Sequence, residues 1–294
     1  MLNEIIEYLN PQSGQVFVDG TANGGGHTFA ITERVVPNGK VVAIEWDAEI
    51  ASNLELKVKS SKLKENIKVV NDNYANLKDI LESLKIEKID GMVLDLGFSS
   101  LHLESSGRGF SFQKDEPLDM RYAQDQELTA YEIVNGWPEE DIARILRDYG
   151  EERFAYRIAK SIYDQRKREK ITTTNNLVKV IEMAVPAFYK RGKISCATRT
   201  FQALRIAVNR ELDNIEKVLP QIVEVLNSRG KIAVISFHSL EDRIIKNFFR
   251  EKAKEESTGG RIKIITKKPI IASEDEMREN PRSRSAKLRV AEKI

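Results

Sequence analysis

The first hundred residues contain four short apolar runs without polar alternation, and segments of helical character lie between them. The runs are QVFVD at 15–19, KVVAIE at 40–45, IKVVN at 67–71 and IDGMVLDLG at 89–97. A strand that reads as continuously apolar is buried on both faces, which is typical of parallel sheets covered by crossover helices. This part of the chain therefore predicts an α/β fold built from βαβ units.

The middle of the chain has a different pattern. Residues 105–200 contain no strand-like run, and apolar residues recur there at helical spacing. One such series is Leu177, Ile181, Ala184, Val185 and Phe188, which follows the sequence TTTN at 172–175. Because Thr and Asn ahead of such a series are common helix N-caps, we predict an inserted helical domain.

Strand-like runs return in the last third of the chain. They are KIAVISF at 231–237, RIKIITKKP at 261–269 and AKLRVAEK at 286–293. Together with the first four runs they predict one sheet of seven strands that is interrupted once. The predicted sheet domain has two parts, 1–104 and 201–294, and the helical insertion at 105–200 separates them.

The composition suits a chain with a sizeable core. Hydrophobic residues make up 41% and charged residues 31% of the 294 positions, which argues against extended disorder. The single cysteine, Cys196, excludes an intramolecular disulfide and fits a reducing compartment. The start MLNEIIEYLN does not resemble a signal peptide, and no apolar run has the length of a membrane span. We therefore predict a cytoplasmic protein with no membrane partner.

Basic residues are concentrated in two segments, although the net charge is only +2. The segment 183–210 has no acidic residue and contains Lys190, Arg191, Lys193, Arg199, Arg205 and Arg210. Residues 261–294 hold ten basic residues against five acidic ones. Such segments fit a protein that binds a phosphate backbone, but on charge alone a solvated basic face is the favoured explanation.

A glycine-rich stretch follows the first predicted strand. Asp19 ends the strand, and the sequence GTANGGGH continues to His27, where a helix should begin. Glycines permit a tight turn and close approach of the backbone to a ligand. Glu45 ends the second strand, where a carboxylate can accept hydrogen bonds from ribose hydroxyls. These features favour an adenosine-containing cofactor, and a turn without a ligand is the alternative.

The spacing of the glycines narrows the choice of cofactor. The stretch does not match the dinucleotide pattern G-x-G-x-x-G, and no G-K-[ST] follows as in a phosphate-binding loop. The fourth strand also ends in an acid, Asp95. Acids and glycine-turn carbonyls can accept the ammonium of S-adenosylmethionine. The combination therefore favours a methyltransferase that uses this cofactor.

Aromatic residues and arginines follow the fourth strand, on the side where open parallel sheets bind ligands. Phe110, Phe112, Arg108 and Arg121 lie in the stretch 95–122. Aromatic rings and guanidinium groups stack on unpaired bases, but the two phenylalanines fit a buried core equally well. The three histidines, His27, His102 and His238, each follow a predicted strand. No close-spaced His/Cys cluster appears in the sequence, so we predict no metal site.

Seven motifs together resemble one known family. They are DGTANGGGH, DGMVLDLGFSS, RGFSFQKDEPLDMR, YGEERFAYRIAKSI, ATRTFQALRIAVNREL, ISFHSLEDRIIKNFF and NPRSRSAKLRVAEK. The resemblance runs from about Leu2 to Lys293 and is to the bacterial ribosomal RNA small-subunit methyltransferase H family, also called MraW. It implies a class I (Rossmann-like) methyltransferase sheet with an inserted helical domain. It also implies methyl transfer from S-adenosylmethionine to the exocyclic N4 of a cytidine in 16S rRNA, at the decoding centre of the small ribosomal subunit.

The resemblance assigns a set of cofactor-binding positions. They are Gly25, Gly26, His27, Glu45, Tyr74, Asp95 and His102. Members usually carry Asp at position 45, Phe at 74, Gln at 102 and His-Pro at 195–196, where this chain has Glu, Tyr, His and Ser-Cys. Members also usually begin with an H-x-P-V-L segment, and this sequence starts after it.

The remaining roles are hypotheses. Asp95, or a backbone carbonyl of residues 96–99, is the candidate acceptor for a proton of the target amine. The flipped base would lie against Arg108, Phe110 and Arg121. Phosphates would contact Arg199, Arg205, Arg282 and Arg284, and His238 would face the same site. The alternatives are a binding protein that uses the cofactor only for order, and a nicotinamide-dependent dehydrogenase.

Overall fold

The computed structural model describes residues 1–104, 106–192, 194–255 and 261–294. These residues form two compact units. The first combines Met1–Gly97 with Leu212–Ile294, and the second is Phe98–Glu211. The predicted insertion, 105–200, lies within the bounds of the second unit, and Ser105, its first residue, lies outside the described residues.

A mostly parallel sheet forms the centre of the first unit, which confirms the predicted α/β fold. Its strands are β1 (Val16–Asp19), β2 (Lys40–Glu45), β3 (Ile67–Asn71), β4 (Ile89–Asp95), β5 (Leu226–Ser236), β6 (Ile262–Ile264), β7 (Ile270–Ile271) and β8 (Lys287–Lys293). The strand order is β3-β2-β1-β4-β5-β8-β6, and β7 also pairs with β8. Strands β1 to β5 run parallel, whereas β8 is antiparallel to its neighbours. The two-residue β7 is the strand that the sequence did not predict.

The helices occupy both units. They are α1 (Leu2–Leu9), α2 (Gly26–Val35), α3 (Ala48–Lys59), α4 (Leu77–Ser83), α5 (Ser100–Glu104), α6 (Ala130–Gly136), α7 (Glu139–Asp148), α8 (Ala155–Arg166), α9 (Thr174–Ala184), α10 (Ala187–Lys190), α11 (Thr198–Asn209), α12 (Glu211–Val225), α13 (Ser239–Lys252) and α14 (Glu274–Glu279). Short 3-10 turns cover Tyr74–Asn76 and Pro281–Ser285. No helix in the described ranges is long and apolar enough to cross a membrane.

Alternate residues of each central strand enter two different cores. Val18, Val42 and Leu94 pack with apolar residues of α4, α12 and α13 on one face of the sheet. Phe17 and Val93 pack with residues of α1 and α2 on the other face. Successive side chains of a strand point to opposite faces, so an uninterrupted apolar run fills both cores at once.

Buried helical faces and a few side-chain hydrogen bonds hold the second unit together. Ile142, Ile145 and Leu146 are buried on one face of α7, as their spacing predicts. The Asn209 amide organises the segment before α6: its Oδ1 accepts from the Tyr122 N–H at 2.8 Å, and its Nδ2 donates to the Met120 carbonyl at 2.7 Å. This amide fixes the path of a segment that has no regular structure of its own.

Candidate functional site

The glycine-rich stretch forms the turn between β1 and α2. The helix begins at Gly26, one residue before the predicted start, and Gly25 is its N-cap with a φ of 90°. A side chain at Gly25 would place its Cβ 2.7 Å from Leu54 Cδ1. In contrast, a Cβ at Gly26 would meet no atom within 4 Å. Neighbouring side chains therefore leave no room for a Cβ at Gly25, whereas the space beside Gly26 is open.

Glu45 ties the glycine turn to the neighbouring strand. It ends β2, and its Oε2 accepts from the Asn23 N–H at 2.8 Å while Oε1 accepts from the Asp47 N–H at 2.9 Å. Burial raises the pKa of the Glu45 carboxyl to about 7, although both backbone hydrogen bonds lower it. Each carboxylate oxygen keeps a lone pair for a further donor, as the predicted ribose contact requires.

His27 and Asp95 lie together, as their positions after β1 and at the end of β4 predict. His27 Nε2 is 3.5 Å from Asp95 Oδ2. The Asp95 N–H donates to Thr21 Oγ1 at 2.6 Å, which fixes the end of β4 against the glycine turn. Burial lowers the pKa of His27, but the hydrogen bond to Asp95 and the charges of Asp19 and Asp95 outweigh it, so the pKa is raised.

Two buried polar atoms beside the turn have no hydrogen-bond partner among the described residues. They are His27 Nδ1 and Asp95 Oδ1. An unsatisfied buried polar atom costs about 1–3 kcal/mol, so such an atom in a native fold calls for an explanation. A polar ligand that contacts both atoms would remove this cost.

A buried carboxylate lies at the base of the site. Asp19 ends β1, and its Oδ2 accepts from the Thr28 hydroxyl at 2.7 Å. Its Oδ1 accepts from the Thr21 N–H at 3.2 Å. Burial raises the pKa of Asp19, although the charge of His27 lowers it. The Asp19 carboxyl thus forms hydrogen bonds with both ends of the turn.

Three other predicted residues of the first unit lie at the edge of the sheet where β1 to β5 end. Tyr74 comes after β3, and its Cβ would lie 3.4 Å from a Cβ at Gly20. Exposed Arg282 and Arg284 precede β8, whose first residue pairs with Ser236 at the end of β5. The carboxyl ends of the parallel strands and the start of β8 therefore share one edge.

His238 caps a helix. Its Nδ1 accepts from the Glu241 N–H at 3.4 Å, and Glu241 Oε2 accepts from the His238 N–H at 3.2 Å. This capping box starts α13 directly after β5. His238 therefore stabilises the start of α13 in the first unit, and its contact with RNA stays a prediction.

An aromatic cluster contains two of the predicted residues in the second unit. Phe110 stacks on Tyr122 with ring centroids 5.6 Å apart, and His102 lies 5.0 Å from Phe110 and 5.1 Å from Tyr122. Arg108 Nη1 donates to the carbonyls of Arg121 and Tyr122. Phe110 and Arg108 are buried, so in this structure they pack the interior of the unit. The cofactor contact of His102 stays a prediction.

The other predicted arginines of this unit have partners within it. Arg121 pairs with Asp119, whose pKa is lowered because the hydrogen bonds and charge of Arg121 outweigh the effect of burial. Arg205 pairs with Glu211 at 2.8 Å, and its guanidinium carbon lies 4.5 Å from the centre of the Phe98 ring. Arg199 Nη1 donates to the Glu151 carbonyl at 2.7 Å. Lys193 lies outside the described residues. RNA binding by these arginines stays a prediction.

The sequence did not indicate three residues of this site, or one contact within the second unit. Thr21, Asn23 and Thr28 bind Asp95, Glu45 and Asp19 through backbone or hydroxyl groups. Phe98, three residues after Asp95, is stacked by Arg205. Thr21 and Asn23 sit among the glycines of one turn, and that position was the available signal. The partner of Phe98 is 107 positions away, and no local pattern indicates such a contact.

Comparisons with known proteins identify the family of the chain. The family described as the MraW methylase family matches residues 1–294. A protein from Kosmotoga olearia is 45% identical over 296 residues, covering 100% of this chain and 96% of its own. One from Sulfurihydrogenibium sp. is 46% identical over 294 residues, covering 99% and 97%. Both relatives are named ribosomal RNA small subunit methyltransferase H.

Solved structures are more distant in sequence. A putative methyltransferase from Streptococcus mutans, in complex with SAH, is 10% identical, with a TM-score of 0.48 and coverage of 100% of this chain and 97% of that one. The assignment rests instead on the match over the full sequence and on relatives above 40% identity. The chain belongs to the MraW methylase family.

Proposed function

We propose that this chain transfers a methyl group from S-adenosylmethionine to the exocyclic N4 of a specific cytidine in 16S rRNA, at the decoding centre. Membership of a methylase family supports the reaction type, and the names of the relatives support small-subunit ribosomal RNA as the substrate. The N4 position and the decoding centre follow from the motif resemblance. The partner is 16S rRNA within the small ribosomal subunit, which would place the protein in the cytoplasm.

The observation that carries the proposal is the pair of unpartnered buried atoms, His27 Nδ1 and Asp95 Oδ1. The amino-acid end of S-adenosylmethionine has an ammonium, which can donate to Asp95, and a carboxylate, which can accept from the His27 ring. The open space at Gly26 lets the backbone approach this end closely. These residues fit the cofactor without phosphate recognition. No metal is part of the proposal.

Glu45 would hold the ribose of the cofactor. Its carboxylate is already oriented by the N–H groups of Asn23 and Asp47, so few rotamers are lost when hydroxyls bind. Tyr74, at the same edge of the sheet, would contact the adenosine part, and His102 would complete the set. Together these residues align the cofactor, and alignment is the main contribution that a protein makes to this reaction.

Asp95 would take the proton that leaves the amine. When bound, the cofactor supplies an electrophilic methyl group and a neutral thioether leaving group. The lone pair of a cytosine amine is delocalised into the ring, so the amine is a poor nucleophile. A carboxylate that accepts one of its hydrogens increases the electron density on nitrogen. The Asp95 side chain is 29% exposed, and its backbone N–H donates to Thr21, so the carboxyl is partly accessible on a fixed backbone.

Cofactor affinity is expected to depend on pH through Glu45. Ribose hydroxyls donate to the ionised carboxylate, so binding should release a proton wherever Glu45 is protonated in the free protein. Since its pKa is raised to about 7, affinity should fall by up to about tenfold for each pH unit below that value and stay level above it. Calorimetry in two buffers of different ionisation enthalpy measures the released proton. Glu45→Gln is the control. If its cofactor affinity falls as steeply with decreasing pH as that of the wild type, Glu45 is not the group that titrates.

Nucleoside analysis tests the target atom. Small-subunit RNA from cells that lack this protein is incubated with the purified chain and S-adenosylmethionine, digested and separated by liquid chromatography with mass detection. We expect N4-methylcytidine as the new nucleoside. A methyl group on cytosine C5, on a ribose 2′-oxygen or on another base would contradict the proposed position and leave the reaction type intact.

A further inference from the structure

The second unit carries an exposed aromatic and basic surface that the proposed reaction does not use. It is formed by Arg153 and Phe154, directly before α8, and by Phe188 and Tyr189 of α10. The guanidinium carbon of Arg153 lies 4.8 Å, 5.3 Å and 4.6 Å from the ring centres of Phe154, Phe188 and Tyr189. We call these four residues the Phe188 surface.

Hydrogen bonds and ring contacts fix the Phe188 surface. The Tyr189 hydroxyl donates to Oε2 of buried Glu152 at 2.6 Å, and the Phe154 N–H donates to Oε1 at 2.7 Å. Burial and this hydrogen bond raise the pKa of Tyr189 to about 12. The rings of Phe154 and Tyr189 meet edge to face at 4.9 Å. The surface is therefore ordered before any partner binds, which lowers the entropy cost of binding.

The surface combines an exposed aromatic ring with several exposed basic side chains. Phe188 is 63% exposed although it is a large apolar residue. Arg153, Arg157, Lys190 and Arg191 are exposed nearby in the chain, and no acidic residue occurs between positions 183 and 210. Of the acids next to Arg153, Glu152 is buried and engaged by Tyr189 and Phe154, which leaves Glu151 exposed. A partner with a flat apolar group and negative charge would complement this surface.

We propose that the Phe188 surface binds an unpaired stretch of the RNA substrate, with one base stacked on Phe188 and the adjacent phosphates on Arg153, Lys190 and Arg191. This inference rests on the proposed function. Unpaired RNA presents bases and phosphates in alternation, and proteins bind it with aromatic rings next to cations. Arg153 lies against the rings already, so it can neutralise a phosphate while it stacks.

Three substitutions at Phe188 test the stacking contact. Phe188→Ala should raise the KM for small-subunit RNA and the Kd measured by filter binding roughly 5- to 100-fold, as for loss of one base stacked on an aromatic ring. The kcat should be unchanged. Phe188→Trp should restore binding, whereas Phe188→Leu, which is apolar without a π face, should not. Leu56→Ala is the matched control, because Leu56 is 62% exposed on α3 of the first unit.

A charge reversal tests the phosphate contacts. Lys190→Glu with Arg191→Glu should weaken RNA binding and reduce the slope of log Kd against log salt by about 1.4, as for loss of two contacts with a single strand. The control is the double variant Lys62→Glu with Lys64→Glu, at two exposed positions of the first unit. It should change the affinity for RNA and the salt slope only slightly. Thermal unfolding of each variant should match the wild type, since none of these side chains is buried.

The outcomes separate this inference from the proposed function. If the wild type transfers no methyl group to small-subunit RNA, the proposed function fails. If the wild type is active but Phe188→Ala keeps its KM and Kd, the Phe188 surface does not bind RNA. Binding by Phe188→Leu as tight as that of the wild type would also overturn the inference, since it would indicate an apolar docking surface for a protein.

Discussion

Asp95→Asn is expected to slow methyl transfer in a single turnover by about 100-fold or more with cofactor and RNA saturating. The asparagine amide has nearly the same shape and keeps the backbone hydrogen bond to Thr21, but it has no carboxylate to accept the leaving proton. Rapid quench with labelled cofactor measures this step apart from binding and product release.

Glu45→Gln is the matched control for Asp95→Asn. Both variants change a carboxylate at a strand end of the same sheet. Glu45→Gln should weaken cofactor binding and leave the single-turnover rate at saturation unchanged, because Glu45 is assigned to the ribose. If Asp95→Asn behaves in the same way as Glu45→Gln, Asp95 acts on the cofactor alone, and a carbonyl of residues 96–99 becomes the candidate acceptor.

Gly26→Ala is expected to weaken S-adenosylmethionine binding roughly 10- to 100-fold without destabilising the fold. The added methyl group meets no protein atom within 4 Å, and Gly26 is the first residue of α2, where alanine favours the helix. If the cofactor fills this space, the methyl group collides with it, and overpacking of this kind costs about 1–3 kcal/mol. Calorimetry and urea unfolding measure the two effects separately.

Gly25→Ala, one residue earlier, should destabilise the fold, in contrast to Gly26→Ala. Its φ of 90° is unfavourable for alanine, and the new Cβ would lie 2.7 Å from Leu54 and 2.8 Å from Phe29. We expect a loss of about 1–3 kcal/mol in the free energy of unfolding. If Gly26→Ala binds the cofactor as tightly as the wild type, the cofactor does not occupy the space beside Gly26.

The sequence predicted the sheet and its site well because both depend on local signals. Strands β1 to β4 begin and end within two residues of the predicted runs. Glu45 and Asp95 each end a strand next to β1, so parallel pairing brings both to the glycine turn. Once the strands are parallel and adjacent, the convergence of these residues follows from the topology.

The second unit was less predictable because burial there depends on distant contacts. Phe188 continues the helical spacing of Leu177 and Ile181, which predicts a buried position. The helix instead ends at Ala184, two residues before Pro186, and Phe188 emerges on a separate short helix with its ring exposed. Arg108 and Phe110 were candidates for contact with a base, with a core position as the alternative for Phe110, and the structure buries both near Tyr122. Pro186 was a local signal for the end of the helix, whereas no residue near Arg108 or Phe110 indicates their burial against Tyr122.

Label transfer from methyl-tritiated S-adenosylmethionine tests the central claim most directly. The purified wild-type chain is incubated with the labelled cofactor and with small-subunit RNA or assembled small subunits from cells that lack the protein. We expect stoichiometric, time-dependent entry of label into 16S rRNA, and much less with Gly26→Ala at limiting cofactor. Cofactor binding without label in any RNA would contradict that claim and indicate a binding protein, and binding of NAD in place of S-adenosylmethionine would indicate a dehydrogenase.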